Sequence, residues 1–186
     1  FMFENSANML SEKHMGYLQE IIKQFESMDY TVHTFKVNSA NYQVPQNRIR
    51  LILIGERGNS YKPPNIVPNV ITVRDAISSL GEPNNSNGHI FHPGARTYKC
   101  HTPSVLDKPS KTITSGVHGP GGGNCTIYTD DGSIRYYTVR EVARLQTFPD
   151  TFVLHPVRTI AIRQLGNAAP PILIKHFANM FNFMDK

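Results

Sequence analysis

Tryptophan is absent from the 186 residues, and cysteine occurs only twice, at Cys100 and Cys125. Two cysteines cannot staple a disulfide framework, so the chain must stand on an apolar core, and a reducing compartment suits it best. Acidic residues are scarce beside basic ones, 14 against 19, giving a formal net charge of +5. No apolar run approaches the ~20 residues that span a bilayer. Residues 1–10 lack the basic front and small-residue cleavage site of a signal peptide. No internal repeat is visible. Bulk disorder is excluded as well: hydrophobic residues make up 39% and charged residues 18%, enough for one large domain or two small ones.

The positive charge is concentrated. Between Glu82 and Asp130 the bases are Arg96, Lys99, Lys108 and Lys111, against the single acid Asp107, and His89, His92, His101 and His118 fall there too. Such a segment suits a polyanion, nucleic acid first, although an ordinary basic surface would carry the same charge.

Periodicity divides the chain into three parts. In residues 1–55, Phe1 to Phe3 reads as the close of a strand, and Ser11 as the cap of a helix. Met15, Leu18, Ile21, Ile22 and Phe25 then recur at helical spacing. "YTVHTFKV" alternates as a strand does, and "IRLILIG" reads as a central strand buried on both faces and ended by Gly55. Strand, helix, strand, strand predicts a piece of a doubly wound α/β sheet. After Gly55 the chain is rich in turn residues. "VRDAISSL" behind Thr72 predicts a short capped helix, and "CTIYTDDGSIRYYT" a hairpin turning at Asp131-Gly132. From about 135 helices return. Thr138 and Glu141 form a capping box, Pro149 ends that helix, and Pro170-Pro171 open a last one with Leu173, Phe177, Met180, Phe181 and Met184 as its buried stripe.

Several residues are placed for chemistry. Glu4-Asn5 would sit just past a strand end, the edge where open α/β sheets bind ligands, and a desolvated Glu there can hold and donate a proton. A solvated strand-end carboxylate is the plainer alternative. Arg48 and Arg50 are two apart, hence on one face of an extended segment. They offer planar donors to phosphate or a base carbonyl, or simply snorkel at a strand entrance. "HGPGGGN" (His118 to Asn124) has no GK[ST] ending and reads as a flexible hinge rather than a phosphate loop. His89, His92, Cys100 and His101 match no structural zinc spacing, and neither cysteine has an activating neighbour.

"FENS" with Glu4-Asn5, "YQVPQNRIRLILIG" at 42–55, "YYTVREVARLQTFPD" at 136–150 and "RQLGNAAPP" at 163–171, in that order, resemble the motifs of the DNA cytosine-5 methyltransferases. "TVRDAISSLGEP" and "KPSKTIT" are similar to the flanks of that family's target recognition domain. The resemblance implies a partial doubly wound, Rossmann-like methyltransferase sheet (1–55), a small loop-rich recognition domain (56–134), and a motif helix and terminal helix returning to the catalytic domain (135–186). It implies that Glu4 holds and protonates ring nitrogen 3 of a flipped cytosine, that Asn5 shapes the site, and that of the pair Arg48 and Arg50 the second reaches the cytosine carbonyl oxygen. It further implies that Arg140, Glu141, Arg144 and Gln146 hold the recognition domain in place. Gln164, Gly166 and Asn167 would match the last motif, with Gly166 and Asn167 beside S-adenosylmethionine. Arg96, Lys99, Lys108 and Lys111 are the expected contacts to double-stranded DNA.

The sequence departs from the family pattern at Ser6 (commonly Val), Gln43 (commonly Gly) and Ala169 (commonly Val). The family's nucleophile, the Cys of a Pro-Cys motif, has no counterpart: Cys100 follows Lys and Cys125 follows Asn. Nor is there a Gly-rich strand-to-helix turn for the cofactor. The expectation is therefore the carboxyl-terminal half of a methyltransferase, inactive alone, partnered by an upstream half in cis or as a second subunit. It would be cytoplasmic, nucleoid-associated, and without metal or membrane. A free-standing DNA-binding module and part of a tRNA cytosine-5 methyltransferase are the alternatives.

Overall fold

The structure is a computed structural model that describes residues 1–58, 61–97, 102–116 and 125–181. Lys99, Cys100, His101, the segment His118 to Asn124, and Met184 lie outside the described residues. The chain folds as mixed α/β. β1 (Met2–Ser6), β2 (Thr31–Asn38) and β3 (Ile49–Glu56) form one sheet in the order β1-β3-β2. β3 is antiparallel to both neighbours, so β1 and β2 run the same way. Two parallel strands need a crossover, and helix α1 (Glu12–Glu26) supplies it.

Both faces of β3 are covered, which is why its sequence is continuously apolar. Leu51 and Leu53 pack with Leu18 of α1 on one side. Ile52 and Ile54 pack on the other with Leu173 and Phe177 of the last helix, α5 (Pro171–Ala178). Helices thus cover both faces of the sheet; the middle strand's reversed direction is what the sequence did not announce.

A second core joins residues from Val73 to Leu165, including Ile113, Cys125, Ile127, Tyr137, Val142 and Ile162. It gathers α2 (Val73–Ile77), the hairpin β4 (Thr126–Tyr128) and β5 (Ile134–Tyr136), α3 (Val139–Leu145) and α4 (Arg158–Asn167). Both anticipated capping boxes exist, Thr72 with Asp75 and Thr138 with Glu141. The hairpin turns where expected, with Gly132 at φ +80°.

Some local expectations are corrected. β1 does not close at Phe3. Its pairing continues through Glu4 and Asn5 to Ser6, because Arg50 to Ile54 of β3 offer partners along that whole length. Ser11 stands at the N-cap of α1, but its hydroxyl donates to the Asn8 carbonyl and makes no side-chain cap. Gly55 does not end β3, which runs to Glu56. It is glycine because the Phe1 ring crosses it: an added Cβ would lie 2.1 Å from Phe1 Cε1. α3 ends at Leu145, ahead of Pro149, because Thr147 turns the chain at φ +62°. Leu173 and Phe177 of α5 are buried, while Met180, beyond its end, is exposed.

Candidate active site

Register alone brings the first two candidates together. Glu4 is opposite Ile52 and Ser6 opposite Arg50, so Glu4 and Arg50 are diagonal neighbours on the same face. Arg50 Nε stands 3.1 Å from Glu4 Oε1, with side chains 16% and 17% exposed. This is a close ion pair but not an aligned hydrogen bond: Glu4 Oε1 is buried and without one. Arg50 Nη1 donates to its neighbour Ile49's carbonyl at 2.7 Å. Burial draws the Arg50 guanidinium below its ordinary value, while Glu4 opposes the shift.

Around this pair lies a cleft of ≈ 330 Å³ lined by Glu4, Asn5, Ser6, Arg48, Arg50, Thr114, Ser115, Gly166 and Asn167. Three separate parts of the chain meet here: the sheet, the loop after Ile113, and the end of α4. A larger cavity of ≈ 630 Å³ is lined mainly by apolar residues between Phe148 and Ala168. The smaller cleft holds the paired charges and is the one suited to chemistry on a polar ring.

Arg48 has a different task from Arg50. It is 2% exposed. Its Nη1 donates to the Ile113 carbonyl (2.9 Å), and its Nη2 donates to the carbonyls of Gly166 (2.9 Å) and Ala168 (3.2 Å). It satisfies carbonyls at the end of α4, where a cation is also favoured by the helix dipole. Burial, then the charge of Arg50, lowers its pKa to about 10, so it stays a cation at neutral pH. Asn5 is engaged locally, accepting from the Ser6 amide at 2.7 Å.

Gly166 lines the cleft, yet its Cα is pressed against the neighbouring loop. A Cβ there would stand 2.5 Å from the Thr114 carbonyl carbon and 2.6 Å from the Ser115 nitrogen. Asn167 and Gln164 are exposed on α4. Thr114 and Ser115 are the site residues that motif reading missed; the only signal was "KPSKTIT", which ends at Thr114.

The motif helix α3 behaves as a bracket. Arg140, buried, donates to the carbonyls of Asn87 (3.1 Å), Pro149 (3.2 Å) and Phe152 (2.8 Å). Glu141 receives Arg135 at 2.7 Å and the Thr138 amide at 2.8 Å. Arg144 pairs with Asp150 at 2.5 Å and donates to Ala76 and Ser79. Gln146 donates to the Leu165 carbonyl.

Of the basic residues expected at DNA, Arg96, Lys108 and Lys111 are exposed. Arg74 binds both Asp107 and Asp130 at 2.6 Å, which neutralises the acid closest to Lys108. Cys125 is wholly buried and burial pushes its thiol up to about 12, as expected of an inert cysteine. His89 is a satisfied core residue, in contact with Thr138 Oγ1 (2.9 Å) and the Gly81 carbonyl (3.2 Å). Among the described residues there is no cluster of three or more metal-ligating side chains, and no helix is long and apolar enough to cross a membrane.

With this geometry in view, the likeness to known proteins is specific. The sequence profile of the C-5 cytosine-specific DNA methylases matches residues 1–92 and 74–182, and the chain belongs to that family. It is 32% identical over 189 residues to the type II methyltransferase M.AplI of Arthrospira platensis, covering 95% of this chain and 54% of that protein. It is 30% identical over 207 residues to M1.HphI of Haemophilus parahaemolyticus, covering 96% and 55%. The chain thus spans about half the length of these curated relatives. Among solved structures it resembles the Entamoeba histolytica methyltransferase EhMeth, with TM-score 0.73 and 12% identity, over 100% of this chain and 63% of that one. At that identity the likeness concerns the fold.

The family implies S-adenosylmethionine as methyl donor. The parallel unit's strand-to-helix connection, Ala7–Leu10, is a 3-10 turn without glycine, and Met9 and Leu10 pack into the core beside α1. That junction offers no cradle for a nucleotide. Asn167 alone of the two anticipated cofactor residues presents an exposed side chain at the cleft.

Proposed function

We propose that this chain is the base-holding and DNA-recognising part of an S-adenosylmethionine-dependent DNA (cytosine-5) methyltransferase. The observation that carries the reading is the Glu4–Arg50 pair, set by strand register at the floor of a cleft that three parts of the chain enclose. A cytosine must leave the duplex to be attacked, because its ring carbons are stacked inside it. Addition of a nucleophile to the ring sends electron density to nitrogen 3 and the carbonyl oxygen. Glu4 holds nitrogen 3 and passes a proton to it, and Arg50 donates to the oxygen; the charge that develops at both atoms is then met by fixed groups in a partly dehydrated site. Arg48 acts behind them, joining the Ile113 loop to α4.

Residues 56–134 act as the target recognition domain, and 135–186 return the chain to the catalytic body, with α3 as the bracket between them. Arg96, Lys99, Lys108 and Lys111 meet phosphates, and the surrounding loops read base edges. The attacking thiolate comes from the family's Pro-Cys motif and not from Cys125, which is sealed in the second core. The 186 residues alone therefore transfer no methyl group.

The test is expression in a host without cytosine methylation, with the chain alone and with a family amino-terminal half that carries Pro-Cys. Bisulfite sequencing of host DNA should show protected cytosines in one sequence context for the pair and none for the chain alone. Protection confined to tRNA, or methylation by the chain alone, would overturn the reading.

A further inference from the structure

Two buried amides behind the cleft have no part in the chemistry just described. Gln46 and Gln146 are both 0% exposed. Gln46 Oε1 accepts from the Ile113 amide at 3.0 Å. Its Nε2 reaches the Leu145 carbonyl at 3.4 Å and Gln146 Oε1 at 3.3 Å. Gln146 Nε2 in turn donates to the Leu165 carbonyl. Burying a primary amide is costly unless it is hydrogen-bonded, and a leucine would fill such space more simply.

The residues these amides hold are the immediate neighbours of the cleft. Ile113 precedes Thr114 and Ser115; Leu165 precedes Gly166 and Asn167. Ile113 is gripped at both ends of its backbone: Gln46 takes its N–H and Arg48 donates to its carbonyl at 2.9 Å. The strand-like contact Gln46–Ser110, and the bonds from the Asn47 amide to the Ser110 carbonyl (2.8 Å) and from the Ser110 amide to the Pro45 carbonyl (2.9 Å), hold the same loop.

We propose that Gln46, acting with Gln146, is a positioning residue that fixes the Thr114–Ser115 wall and the end of α4 against Glu4 and Arg50. The bridge passes through the end of α3, so a shift of that bracket is transmitted to the cleft. The inference rests on the functional reading above, but its first test does not.

Gln46→Met keeps the side chain's length and removes all three bonds; Gln146→Met removes the link to α4 and the acceptor for Gln46 Nε2, but leaves the Ile113 bond in place. Amide hydrogen exchange on the chain alone should show Ile113 about tenfold faster in Gln46→Met, measured against β3 amides such as Leu53, and near the original rate in Gln146→Met. Uniform acceleration of all amides, or no change at Ile113, would overturn the bridge whatever the chain's function. In the two-part enzyme, Gln46→Met should lower kcat by up to about 10²-fold while DNA KM stays within about twofold. Unchanged kcat with a loosened Ile113 would refute the positioning role. Absence of transfer by the unsubstituted pair would count against the functional reading, leaving exchange to decide the bridge.

Discussion

Gly166 of α4 lies against Thr114 so closely that a Cβ would be 2.5 Å from the Thr114 carbonyl carbon and 2.7 Å from its oxygen. Backbone on both sides has little room to yield. Gly166→Ala gains helix propensity of about 1 kcal/mol but must separate the two segments. We expect net destabilisation of roughly 1–3 kcal/mol by overpacking, read as a lower urea midpoint. A midpoint equal to or above that of the unsubstituted chain would mean the contact is looser than described.

Glu4→Gln and Arg50→Ala separate chemistry from binding. In the two-part enzyme each should reduce methyl transfer by about 10²–10³-fold, the scale for losing a group that meets developing charge. The proposed phosphate contacts are Arg96, Lys99, Lys108 and Lys111, so on that reading duplex affinity at fixed salt should change little. Loss of affinity parallel to loss of activity would show that the pair is needed to bind DNA rather than to act on the base.

Gln43 sits at φ 61°, ψ 23°, the left-handed region. That explains why the family commonly has Gly here. Gln43→Gly should stabilise the chain by roughly 0.5–1 kcal/mol, strain relief exceeding the added freedom of the unfolded chain. Thermal unfolding would register it, and a drop in Tm would contradict it.

Several surface carboxylates titrate low. Hydrogen bonds from the Thr129 hydroxyl and then the Ser133 amide hold Asp131 down to about 2 from 3.8. Arg74 depresses Asp107 and Asp130, and Arg144 depresses Asp150. Folded values below the ordinary one mean that the unfolded chain binds more protons in that interval. Their contribution is whole above pH 3.8, and it fades as pH falls towards about 2. Urea midpoints should decline over that window, less steeply in Asp131→Asn. Solvent screening keeps the effect small, and a slope unaltered by Asp131→Asn together with Arg74→Met would assign the acid sensitivity to other groups.

Cys125 should resist iodoacetamide at pH about 8 in the folded chain and react once urea unfolds it, because burial both hides the thiol and suppresses its thiolate. Mass spectrometry of the peptide containing Cys125 distinguishes the two states. Ready labelling of the folded chain would reopen the question of which cysteine attacks.

What the sequence made legible was local. Capping boxes at Thr72 and Thr138 and the Gly132 turn carry their signals within a few residues. α4 carried none: Val157 provides no side-chain cap, and its first turn has no acid. Thr114 and Ser115 were invisible for a different reason. They sit in an irregular loop, and reach the cleft through bonds made between that loop and residues 45–48, over 60 residues earlier in sequence. Glu4 and Arg50 became a pair only when the β1–β3 register was known.

That register gives the site a parity. Glu4 and Arg50 share a face because an even number of positions separates Arg50 from Ile52, the residue opposite Glu4. A single residue inserted between Arg50 and Ile52, with Glu4 still facing Ile52, would turn the guanidinium towards α1 and leave the carboxylate alone. Two inserted residues would return it to the correct face but about 6.6 Å further along the strand. A change of length by even one residue is thus intolerable in the strand that carries the site.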